Sequence, residues 1–161
     1  MKNLDEREEE LRELVTKIQN SRSESKKLKT LLETFEKEFG PKAEKRVLEI
    51  IAENAEKLWT SIAEERESND IEGMIDSMWK PFEQAGGEFT MERTEDSAQF
   101  HCTKCPIADT YLKIGKPEYG LIFHCSADPH IVAGFNPRME FRITKRIMNG
   151  EDCCNHYYHL K

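Results

Sequence analysis

Five cysteines are the residues of this 161-residue chain best suited to chemistry, and their spacing suggests what that chemistry is. Cys105 stands directly before Pro106, a proline suited to the first turn of a helix, so the spacing predicts Cys105 at the N-cap. Unpaired N–H groups and the positive end of a helix dipole favour a thiolate there, which suits a nucleophile or a metal ligand. Cys102 lies three residues earlier, Cys125 near the end of a following short helix, and Cys153-Cys154 on the last strand. Side chains alternate along a strand, so only one of the adjacent pair can join a common cluster. Cys154 shares its face with His156, Tyr158 and Leu160, and Cys153 shares the other with Asn155, Tyr157 and His159.

Two chemistries follow. In one, a single activated thiol acts as nucleophile. In the other, thiolates at Cys105, Cys125 and Cys154 converge on a metal ion or an iron–sulfur cluster with one open coordination position. The Cys102-x-x-Cys105 spacing resembles half of a structural zinc site, but the second CxxC or HxxxH is absent. His124, Cys125 and His130 are the residues that would have to complete it.

The elements that must position these residues are read from periodicity and punctuation. Leu4, Leu11, Leu14, Val15 and Ile18, then Leu28, Leu31, Leu32, Phe35 and Phe39, recur at helical spacing among charges. Such a stripe is either a seam for a partner, giving a homo-oligomer through the N-terminal helix, or a face packed on its own domain. Gly40-Pro41 starts a second helix with an apolar face of Ala43, Val47, Ile50, Ile51, Ala55, Leu58 and Ile62. Asn69 or Asp70 caps a third, in which Ile71, Met74, Ile75, Met78, Trp79 and Phe82 form a core face.

After Gly86-Gly87 the pattern becomes strand-like, with a hairpin from Phe89 to Cys102 turning at residues 94–97. Two short helices follow near 106–114 and 117–126. Asp128-Pro129 reads as the cap and start of one more helical turn. Residues 139–144 alternate as a strand, Asn149-Gly150 signals a two-residue hairpin, and a last strand runs from about Cys153 to Leu160. The sum is an α+β fold, a small antiparallel sheet of about four strands with helices packed on one face. Residues 1–39 read as an amphipathic helical extension and 40–161 as the main domain, its helical part at 41–85 and its cysteine-bearing part at 86–161.

Composition narrows the function further. Residues 1–70 hold most of the glutamate and lysine, whereas all five Cys and all five His lie beyond residue 78. The net charge is −7, and no basic stripe interleaved with aromatics is present, which argues against a nucleic-acid partner. No apolar run approaches the roughly 20 residues that cross a bilayer. The acidic start, lacking an apolar stretch, is unlike a signal peptide, so a cytoplasmic protein with reduced thiols is expected.

Several separated motifs occur in a recognisable order. They are Cys105-Pro106-Ile107-Ala108, residues 112–115, Pro117-Glu118-Tyr119-Gly120, Cys125 with Asp128, Phe135-Asn136-Pro137, Thr144-Lys145, and Gly150-Glu151-Asp152-Cys153-Cys154. Over about residues 86–160 the chain thereby resembles the L-2-amino-thiazoline-4-carboxylic acid hydrolase family. It departs at Asn155-His156, where an acidic and an aromatic residue are expected, and at Ile143, where a basic one is. The resemblance implies hydrolytic opening of a carboxylate-bearing 2-amino-thiazoline ring, a small-molecule substrate, to a carbamoyl-cysteine. The matching site residues are Cys105, Cys125, Asp128, Asn136 and Cys154.

On that reading a Cys105 thiolate adds to the amidine carbon and water resolves the covalent intermediate. Asp128 holds the exocyclic amine or orients the water. Arg142 or Lys145, on opposite strand faces, holds the substrate carboxylate, and His156 joins Asn136 as a substrate-binding candidate. The alternatives are a cysteine-ligated metal or iron–sulfur protein, and a ligand-binding sensor with the N-terminal helix as its output.

Overall fold

A computed structural model describes residues 3–161. The first amphipathic stretch folds as two helices, α1 (Glu8–Asn20) and α2 (Ser25–Glu38). Leu11, Leu14, Val15 and Ile18 on one, and Leu28, Leu32 and Phe35 on the other, are buried in a core shared with α3 (Glu44–Glu64) and α7 (Pro117–Phe123). Phe35 meets Phe123 edge-on at 5.3 Å. The N-terminal stripe is therefore a packed face of this chain.

Gly40, at φ +68°, opens a 3-10 turn (Gly40–Ala43) that leads into α3. Val47, Ile50, Ile51 and Ala55 line the buried face of α3. Leu58, expected on that face, is 57% exposed, because the face rotates toward a second core that Trp59, Ile62 and Ala63 touch. The crossing with α8 (Asp128–Phe135) is close: a Cβ added at Gly134 would lie 2.6 Å from the Glu56 carbonyl oxygen.

Asp70 is the N-cap of the third helix, its Oδ1 accepting from the Gly73 N–H at 2.9 Å. This helix has three parts, α4 (Ile71–Met74), a π turn (Ile75–Trp79) and α5 (Lys80–Gln84). In the wide turn the Lys80 N–H donates to the Ile75 carbonyl, five residues back. Pro81 follows immediately and has no N–H to offer an α-helical ladder. The turn presents Trp79 to the sheet, where it stacks on Phe100 with centroids 3.9 Å apart and donates Nε1–H to the Tyr158 hydroxyl at 3.2 Å.

The sheet holds β1 (Glu88–Arg93), β2 (Ser97–Lys104), β3 (Met139–Arg142) and β4 (Tyr157–Leu160), antiparallel throughout in the order β1-β2-β4-β3. Alternation buries Ala98, Phe100 and Cys102 on β2 and Tyr158 on β4. Between β2 and β3 run α6 (Pro106–Lys113), α7, a 3-10 turn (Cys125–Ala127) and α8, the three helices each carrying proline in the first turn.

Three expectations are corrected. Asn149-Gly150 makes no hairpin; Gly150, at φ +87°, ends a 3-10 turn (Ile147–Asn149). The last strand starts at Tyr157 instead of Cys153, continued before it by one isolated bridge, Cys102 to Cys154. Asp128 is the first residue of a two-turn helix whose N-cap is Ala127, and the Asp128 side chain caps nothing. Among the described residues no helix is long and apolar enough to cross a membrane.

Candidate functional site

Two apolar cores, one helical and one against the sheet, meet along a seam. Cys105 and Ile147 pack against both. Cys102 is the last buried side chain of β2; the strand then ends and Cys105 takes the extended N-cap position of α6 (φ −123°, ψ 112°). Cys125 opens the 3-10 turn that precedes α8, which places Asp128 at its end. Cys154 returns the chain to β2, exchanging both backbone hydrogen bonds with Cys102 at 2.9 Å each. Alternation from there buries Cys154, His156 and Tyr158 and turns Cys153 the other way.

At the centre, Asp128 Oδ2 accepts from Arg146 Nη1 at 2.9 Å and lies 3.4 Å from His156 Nε2. Burial pushes the Asp128 carboxyl up, but His156 and the Arg146 guanidinium outweigh it and hold it below the usual carboxylate range. His156 stands edge-on to Trp79 at 5.0 Å, and its buried Nδ1 has no hydrogen-bond partner. A buried ring nitrogen without a partner is a rarity in folded proteins, and this ring acts on the Cys154 sulfur.

The sulfurs share this surrounding. Cys105 feels the charges of Cys154 and Asp128, and Cys125 feels those of Asp128, Arg146, Cys105 and Cys154. Burial raises the Cys105 thiol, and the Ile107 and Ala108 amides at the open end of α6 only partly counter it. The helix start therefore does not make Cys105 the thiolate. Burial, then Asp128, pushes Cys125 up to about 12, against the pull of Arg146. Cys154 moves the opposite way. A hydrogen bond from Cys102 comes first, and the Ile147 N–H at 3.3 Å and His156 add to it, so Cys154 is the sulfur favoured as thiolate. Cys102 keeps its proton, and its one S–H is shared between the Cys154 sulfur and the Lys104 carbonyl, 3.3 Å away.

The other sequence candidates lie elsewhere. The Asn136 amide is spent on backbone, donating to the Asn69 carbonyl at 3.0 Å and accepting from the Arg138 N–H at 2.9 Å. Arg142 lies over the Tyr157 ring at 4.6 Å, and Lys145 faces Asp152 at 3.7 Å on the surface. The cation beside the thiols is Arg146, which strand alternation overlooked because β3 ends at Arg142. His124 bonds the Tyr111 hydroxyl at 2.8 Å and His130 bonds Glu56 at 2.9 Å. Among the described residues no three His, Cys, Asp or Glu side chains are arranged to hold a metal ion.

No curated protein matches the chain. Among solved structures it is similar to a trafficking protein particle complex subunit 3 from Naegleria fowleri covalently bound to palmitic acid. That likeness has 14% identity over 88% of this chain and 95% of that one, with a TM-score of 0.49. The sequence pattern described as L-2-amino-thiazoline-4-carboxylic acid hydrolase matches residues 20–158, well beyond the stretch from 86 onward and through most of the helical half. With all five cysteines, Asp128, Arg146 and His156 inside the matched span, the chain belongs to the L-2-amino-thiazoline-4-carboxylic acid hydrolase family.

Proposed function

We propose that this chain is a thiol-dependent hydrolase that opens a small cyclic amidine bearing a carboxylate, of the 2-amino-thiazoline class. The supporting observation is the gathering of Cys105, Cys125 and Cys154 around the Asp128–Arg146 ion pair and the His156 ring at the seam. The Cys154 thiolate adds to the amidine carbon, and the C=N electron pair moves onto the ring nitrogen. The ring C–S bond then breaks, and the departing sulfur takes the proton that burial keeps on Cys105. Water adds to the resulting isothiouronium carbon and returns one proton to Cys105. The adduct's hydroxyl then loses its other proton to solvent as the carbonyl forms and the Cys154 thiolate leaves, releasing the carbamoyl product. Asp128 accepts a hydrogen bond from the exocyclic amine, which keeps the amidine protonated and electrophilic. Arg146 spends one nitrogen on Asp128 and has further N–H donors for the substrate carboxylate.

The test is incubation of the reduced protein with 2-amino-thiazoline-4-carboxylate, reading new thiol and product mass. Turnover is expected, with Cys154→Ala lowering kcat by about 100-fold or more and Arg146→Met acting mainly on KM. Full activity in Cys154→Ala overturns the assignment of the nucleophile, and no turnover of any cyclic amidine overturns the reaction class.

A further inference from the structure

Cys102 and Cys154 stand directly opposite one another in an antiparallel bridge. The residues exchange both backbone hydrogen bonds, N to O 2.9 Å each way, which makes them a hydrogen-bonded pair with Cα atoms about 5.5 Å apart. Disulfides span Cα separations of roughly 4.4–6.8 Å. Opposed residues of a ladder point to the same face, and both side chains are buried in the core against the sheet. Both thiols are free. The backbone spacing therefore lies within the range a disulfide spans, and the Cys102 thiol reaches the Cys154 sulfur as a hydrogen-bond donor. We propose that Cys102 and Cys154 are a site of reversible disulfide formation, which a peroxide closes and a dithiol reopens.

The chemistry balances. The Cys154 sulfur attacks one peroxide oxygen; the S–O bond forms, the O–O bond breaks, and the departing hydroxide leaves as water with a proton. Cys102 then attacks the sulfenic sulfur, its own proton leaving with the hydroxyl as a second water. Two thiols are oxidised by two electrons and one peroxide is reduced. Cys153 points away from this face, so it does not compete. The closed loop contains Cys105, Cys125, Asp128 and Arg146, so one bond ties down the segment that carries the rest of the site. The consequence for turnover, though not the bond itself, rests on the function proposed above.

The experiment treats the full-length reduced protein with hydrogen peroxide and maps it by non-reducing peptide mass spectrometry. A Cys102–Cys154 linkage is expected, with the intact mass lower by about 2 Da for the two hydrogens lost and restored by dithiothreitol. Cys153→Ala should still form it, and Cys102→Ala should stop at oxygenated Cys154. Overturning results are a linkage joining other thiols, such as Cys105 with Cys125, or Cys154 oxygenated without any linkage in the wild-type chain. Because the wild-type map decides, the proposal stays testable if a variant fails to fold. A linkage in a protein that never turns over a cyclic amidine leaves the disulfide standing and sinks only the hydrolase reading. Undiminished turnover in fully linked protein leaves the disulfide standing and overturns Cys154 as the nucleophile.

Discussion

Arg46 on α3 and Arg146 before the last 3-10 turn both meet carboxylates at hydrogen-bond distance, in very different surroundings. Arg46 reaches Glu8, Glu49 and Glu53 across the outside of the helical half, where the side chains are 29–52% exposed. Arg146 and Asp128 are 20% and 16% exposed, with His156 on the same oxygen. Water screens the first set, so its members are nearly independent of the fold. Little water reaches the second, so each charge there depends on its partner. The helical half supplies stability through apolar burial and keeps its charges at the rim. The seam holds charges inside, where they act on thiols.

Breaking the helical side should give the largest effect. Removing residues 3–39 strips seven buried side chains from the first core. At about 1.5–3 kcal/mol each, their combined loss of about 10–21 kcal/mol is as large as the whole usual stability of about 5–15 kcal/mol. Circular dichroism in urea should then show no cooperative transition, and a cooperative remainder would mean that the sheet side stands alone. Next comes Asp128→Ala, which leaves Arg146 without its carboxylate; a loss of about 3–5 kcal/mol in urea midpoint analysis is expected. A loss below about 1 kcal/mol would mean that the pair behaves like those at the rim.

A pH titration sharpens the contrast. Burial lowers His124 to about 3. Below the ordinary imidazole value near 6.5 the unfolded chain takes a proton that the folded ring refuses, so stability falls with acid. The slope should approach about 1.4 kcal/mol per pH unit between about 6 and about 4. Asp128, also lowered, adds its own loss only below the ordinary carboxylate range. His124→Gln should flatten the upper window; an unchanged slope would assign it to another group. The smallest effect belongs to Arg46→Gln, expected to cost less than about 1 kcal/mol at low salt and to vanish near 1 M salt.

Much of this was legible in the residues. Proline placement located α6, α7 and α8, and the spacing of apolar residues located α3 and the helical stretches that divide into α1 with α2 and α4 with α5. Strand alternation correctly set Cys154, His156 and Tyr158 on one face, although it could not say which face was buried. It failed one step later: β3 ends at Arg142, and beyond a strand's end the period of two carries no information, so Arg146 went unseen. Asn149-Gly150 announced a positive φ, which is present at Gly150, but not the elements on either side. The tilt of Cys105 toward thiol was also illegible, because a helix dipole is visible in sequence and the depth of burial is not.

The π turn before Pro81 has a mechanical result. Taking an extra residue into one turn offsets all that follows by roughly 100°, the angular step of one residue in an α-helix. Gly73 sits on one bearing surface, where a Cβ would meet the Ser68 carbonyl and the Phe135 ring, while Trp79 sits on another, against Phe100. One rod thus docks on two partners that a regular helix could not face together. Deleting a single residue there would swing the indole off its seat and remove the wall that the imidazole of His156 leans against.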